Sequence, residues 1–192
     1  MDQNNQRVEI TDFFKTLALN GWNSAEDADQ GNEPTRDQDA GSDINAFPLK
    51  GVKKAIVYAQ MSVREYPQLE ASVTKPKDHL FDLIMALFDL FSEDRVGIQV
   101  AYKKIITSPC LLREINQDLF DLFSLILQKS HVNVPPVFGV IKVYALEIAV
   151  LCMLQTWFED TTQDLSKTLV SVDEKLNLLE NLSKFMPWNE RS

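Results

Sequence analysis

From residue 47 to residue 185, large apolar residues recur at spacings of three and four, and no run alternates apolar with polar residues in the manner of a strand. That periodicity restricts the chain to helices. Leu111–Gln128 carries Leu112, Ile115, Leu119, Phe120, Leu122, Phe123, Leu125, Ile126 and Leu127, while Thr162–Phe185 carries Leu165, Leu169, Val172, Leu176, Leu179 and Leu182. Six glycines in 192 residues leave few interruptions, and 45% hydrophobic residues are enough for a real core. The expected class is all-α, with about seven to nine helices.

Punctuation places the remaining elements. Residues 1–9 read as a disordered tail, followed by a helix from Ile10 to Leu19 with Thr11 as N-cap and Asn20-Gly21 as its stop. Residues 23–46 are poor in large apolar groups and rich in turn formers, so they read as a loop or a disordered segment. Helices are predicted from Phe47 to Glu65, from Lys75 to Phe91 behind a Thr74 cap, and from Asp94 to Thr107, the last ended by Pro109. After Leu111–Gln128 come Val137–Phe158 and Thr162–Phe185, and 187–192 is a short tail.

Charge excludes a general polyanion binder. The net charge is -9, and residues 1–45 hold ten carboxylates against three cations. Affinity for DNA comes largely from neutralising phosphates, so such a chain needs its lysines gathered on one face. Lys50, Lys53 and Lys54 stand at the start of a helix, where composition favours a solvated face over the alternative of phosphate contact. Val137–Phe158 is long enough to span a bilayer, but Lys142 and Glu147 near its middle favour a buried core helix. The polar, acidic start is no secretory signal, and the cytoplasm is the expected compartment. Cys110 and Cys152, each in an apolar helical setting, are expected to be buried free thiols.

No catalytic arrangement emerges. His79 and His131 have no metal-ligand spacing around them and are expected at the surface or at helix ends. There is no nucleophile elbow and no strand to precede a phosphate loop. The acidic run Glu26–Asp43 lacks the order of an EF-hand loop. An enzyme is the least supported class, and neither metal nor cofactor is expected. The Phe81–Phe91 segment, with Met85, offers either an apolar ligand cavity or plain core packing.

Two separated segments carry a resemblance. Thr156-Trp157-Phe158-Glu159-Asp160-Thr161-Thr162, followed by Thr168, Leu169, Asp173 and Leu176, resembles the end of TetR-family regulators. It also looks like an alphaproteobacterial branch often grouped with a ubiquinone-biosynthesis accessory protein. Lys77-Asp78-His79-Leu80-Phe81-Asp82-Leu83-Ile84-Met85-Ala86-Leu87-Phe88-Asp89 is similar to that branch's Leu-Phe-Asp-Leu-Leu-Met signature. Upstream, Leu17-Ala18-Leu19-Asn20-Gly21-Trp22 resembles the exit of the family's first helix, and Phe47-Pro48-Leu49-Lys50-Gly51 the start of its fourth.

The resemblance implies a helix-turn-helix within residues 10–50, a regulatory and dimerisation domain at 51–186, and a homodimer through the last two helices. Where the family's DNA reader should lie, this chain has Glu26, Asp27, Asp29, Glu33, Asp37, Asp39 and Asp43. Carboxylates against phosphates repel by about 1 kcal/mol or more per close pair, so the helix-turn-helix is expected to be degenerate. Lys50 is then the best phosphate contact, with Lys53 and Lys54 behind it. The implied interface is Leu146, Val150, Met153, Leu165, Leu169, Val172 and Leu176. The implied pocket for an apolar or lipid ligand is Phe81, Ile84, Met85, Phe88, Phe120, Phe123 and Tyr144. Three functions compete: a regulator, a lipid- or isoprenoid-binding accessory protein without DNA binding, and a purely structural adaptor.

Overall fold

The structure, a computed structural model, describes residues 3–24, 46–67, 75–134 and 138–185. The expected loop at 23–46, the carboxylates from Glu26 to Asp43, the Thr74 cap and the tail at 187–192 lie wholly or almost wholly outside them. Among the described residues there are seven α-helices and no strand, so the chain is all-α. In order they are α1 (Gln3–Ser24), α2 (Ala46–Glu65), α3 (Pro76–Leu90), α4 (Arg95–Ile106), α5 (Pro109–Lys129), α6 (Gly139–Glu159) and α7 (Ser166–Phe185), with one 3-10 turn at Ser92–Asp94.

The described chain divides into two compact units. One unit takes residues 1–58 and 91–118; the other takes 59–90 and 119–192. The first is discontinuous because α4 packs on α1. Gly97 of α4 makes the close approach possible: a Cβ there would lie 2.1 Å from the Phe14 carbonyl oxygen. Ile10, Phe14, Leu17, Val52, Ile56, Ala101, Ile105 and Ile115 supply its buried apolar residues.

Helix α1 also corrects the reading of residues 1–9 as a disordered tail. The segment is polar but has tertiary partners. Arg7 donates to the buried Asp94 carboxylate at 2.5 Å and lies over the Phe91 ring, and Glu9 accepts from Lys54. Asn20-Gly21 does interrupt the helix, as expected: Gly21 is non-helical, at φ 76°, a conformation open to glycine and costly for most other residues, and a short further helical stretch runs on to Ser24.

In the second unit α7 packs along α6 and α3. Its core is Leu83, Ile84, Phe88, Ile126, Val143, Leu146, Met153, Trp157, Val172 and Leu176. Helix α7 starts at Ser166, not Thr162, because Thr162–Leu165 form the turn that enters it, with Leu165 in the left-handed region at φ 52°. Pro109 opens α5 where a stop to the preceding helix was expected; proline suits the first helical turn, whose N–H has no acceptor.

Candidate functional site

The three lysines share one face of α2. Positions 50, 53, 54 and 57 follow the i, i+3, i+4, i+7 rule and meet Gln6, Glu9 and Ile10, which obey the same rule on α1. Between them lies a groove of about 520 Å³ lined by Gln6, Glu9, Ile10, Leu49, Lys50, Lys53, Lys54, Val57 and Tyr58. The lysines are legible in the sequence but the groove is not, because Gln6 and Glu9 of its other wall lie in a segment that reads as a tail.

The lysines are not equivalent. Lys54 is paired with Glu9, and Lys53 lies 3.8 Å from Glu114 of α5. Lys50, exposed in the first turns of α2, has no ion pair among the described residues. The oxygen Oε1 of Gln6 is buried without a hydrogen-bond partner.

The seven residues expected to line an apolar pocket separate into different roles. Ile84, Phe88 and Phe123 are core residues, with Phe88 stacked on Trp157 at 5.3 Å between ring centres. Phe81, Met85 and Phe120 are half-buried, and Tyr144 is exposed at the surface of α6, its ring 5.6 Å from that of Phe120.

The residues expected at a dimer interface are also distributed. Leu146, Met153, Val172 and Leu176 are at most 1% exposed within the single chain, so they face its own core. Val150, Leu165 and Leu169 are half-buried. The apolar surface of α6 is instead Val140, Ile141, Tyr144 and Ile148, the last 62% exposed, and α7 adds Val170, Leu178 and Leu182. The expectation that α6 is a buried core helix therefore holds for one face only. Among the described residues it is also the one helix long and apolar enough to cross a bilayer. It carries Lys142, whose ammonium is pushed down by burial and donates to the Asn133 carbonyl, and the buried Glu147, which burial pushes up.

Several residues behind the family resemblance meet in space. Asp160, fully buried after α6, accepts from the N–H and hydroxyl of Thr162 and from the N–H and hydroxyl of Thr168. Burial alone would raise its pKa, but these four hydrogen bonds outweigh burial and hold it well below the ordinary carboxylate range. Lys77 of α3 donates to Asp173 and to Asn177 of α7, each at 2.7 Å. The two segments that resemble the TetR branch are thus joined by an ion pair.

Three side-chain placements depart from expectation. His79 is 1% exposed, not a surface group, and lies between Tyr66 and His131 with neither ring nitrogen hydrogen-bonded. Cys110 and Cys152 are free, as expected, but both are exposed rather than buried. Among the described residues no three His, Cys, Asp or Glu side chains gather closely enough to hold a metal ion. No protein-family model, no curated protein and no solved structure matches this chain, so its function has to be argued from its own geometry.

Proposed function

We propose that the chain is a TetR-like dimeric ligand-binding protein, a transcription regulator or a derivative of one whose grip on DNA is weakened. The observation that carries this reading is the pairing of Lys53 with Glu114 and of Lys54 with Glu9. A lysine that already has a carboxylate beside it releases fewer counterions when it meets a phosphate, and its contribution to DNA affinity falls accordingly. Lys50, which has no ion pair among the described residues, keeps its charge for a backbone contact. The all-helical order of the described elements and the Lys77–Asp173 link between the two resembling segments support the TetR-like reading.

The test is duplex binding followed by fluorescence anisotropy, using DNA upstream of the gene and a scrambled duplex, at 50 and 200 mM salt. A weakened regulator binds the upstream duplex at low salt and loses it at high salt. Absence of binding at low salt sinks the regulator.

The second reading, a lipid- or isoprenoid-binding accessory protein without DNA binding, is favoured by the half-buried apolar groups Phe81, Met85 and Phe120, with Tyr144 beside Phe120. Native mass spectrometry of the purified protein separates it from a packing-only adaptor, because it reports a retained ligand together with the dimer.

A further inference from the structure

We infer that the groove between α1 and α2 binds a single-chain amphiphilic anion, a medium-chain carboxylate being the simplest case. This site is separate from the aromatic residues of the second unit and does not rest on the reading proposed above.

The groove has the two parts such a ligand needs. Ile10, Leu49, Val57 and the ring of Tyr58 give it an apolar lining, and its volume of about 520 Å³ suits a small ligand. Three ammonium groups, Lys50, Lys53 and Lys54, line the groove with one carboxylate, Glu9, and a second, Glu114 of α5, stands beside Lys53. Among the described residues Lys50 has no ion pair, whereas the other two are already paired. It also lies in the first turns of a twenty-residue helix, where the backbone dipole favours an anion.

The dimensions agree with that chemistry. From Lys50 to Val57 is seven residues of helix, about 10 Å along the axis, which matches a medium-length alkyl chain. A carboxylate held by Lys50 therefore places its chain along Val57 and Ile10. Gln6 adds a polar group at the wall: its buried Oε1 has no partner, and a half-turn of the amide presents two N–H donors instead. A neutral apolar ligand leaves Lys50 unused, and a polyanion such as DNA leaves the apolar lining unused. The combination selects an amphiphile with one negative head.

The experiment is isothermal titration of the full chain with sodium decanoate, with decanol as the neutral control. Saturable one-to-one binding of decanoate is expected, with decanol at least about tenfold weaker, the size of one charge-assisted contact. Lys50→Gln should weaken decanoate by a similar factor, and Lys167→Gln, at an exposed site on α7, should not. Val57→Asp puts a carboxylate into the lining at a position 45% exposed, so the fold, checked by circular dichroism, is retained while binding is lost. No saturable binding overturns the inference. So does binding that Lys50→Gln and Val57→Asp leave unchanged, or that Phe120→Ala removes instead. Recruitment to phosphatidylglycerol vesicles without any response to decanoate also overturns it, and assigns the lysines to a membrane surface.

Discussion

Thr168 gives both its backbone N–H and its hydroxyl to the same oxygen of Asp160, each at 2.8 Å, and so ties the first turn of α7 to the end of α6. The other carboxylate oxygen is held by Thr162, whose hydroxyl also accepts from the Ser166 N–H at 3.0 Å. One buried carboxylate thereby organises the whole connection, including the strained Leu165.

The consequence is a pH-dependent contribution to stability. The folded Asp160 titrates below its ordinary value of 3.8, so its contribution is complete above that pH and is lost as pH falls through the lower folded value. Thr168→Val keeps the shape but removes one donor. It should lower the melting temperature at pH 7 by roughly 4–8 °C. The difference from wild type should shrink below about pH 3.8, where the carboxylate protonates in the unfolded chain. An equal difference at pH 7 and pH 3 would show that the hydroxyl acts through packing alone.

Glu147 carries the opposite sign. Burial in α6 raises its pKa above 4.5, and its Oε2 has no hydrogen-bond partner. The stability linked to its proton is therefore full below pH 4.5 and lost as pH rises through the folded value. Glu147→Gln should be more stable than wild type at pH 7.5, by about 1–3 kcal/mol, and no more stable at pH 4. Urea unfolding at the two pH values checks it.

Two glycines should respond differently to the same change. A Cβ at Gly97 meets the backbone of Phe14, whereas a Cβ at Gly51 meets only the Phe13 ring, at 2.4 Å. A ring can turn; a carbonyl fixed in a helix cannot. Gly97→Ala should cost about 2–3 kcal/mol. Gly51→Ala, where the gain of about 1 kcal/mol in helix propensity offsets the crowding, should stay within about 1 kcal/mol of wild type. Thermal unfolding of both variants measures the contrast, and equal losses would place a backbone obstacle at Gly51 as well.

What was legible in the sequence follows from where the physical signal lies. Helices α2 and α5 are legible because periodic apolar residues mark them locally, with a proline in the first turn of α2 as a further sign, whereas Pro109 reads equally well as a stop to α4. Helix α1 was shortened because Gln3 to Glu9 lacks that signal; Arg7 and Glu9 are ordered by partners 87 and 45 residues away. The lysines of the groove were legible as charges, but Gln6, Glu9 and Ile10 opposite them were not. The inward face of α6 was hidden for another reason. Apolar residues surround that helix, so periodicity cannot tell Leu146, which is buried, from Ile148, which is not.

That ambiguity leads to the prediction about self-association. If two chains pair through their last two helices, the contact must use the apolar groups left outside the core, and on α6 these are Val140, Ile141, Tyr144 and Ile148. A charge at Ile148, 62% exposed, then separates the subunits while each keeps its fold. The same charge at Leu176, 1% exposed, enters the core of one chain and unfolds it. Ile148→Glu should therefore sediment as a monomer with unchanged helical circular dichroism, and Leu176→Glu should lose the helical signal at either state of assembly. A dimer of undiminished affinity in Ile148→Glu would move the interface off this face of α6.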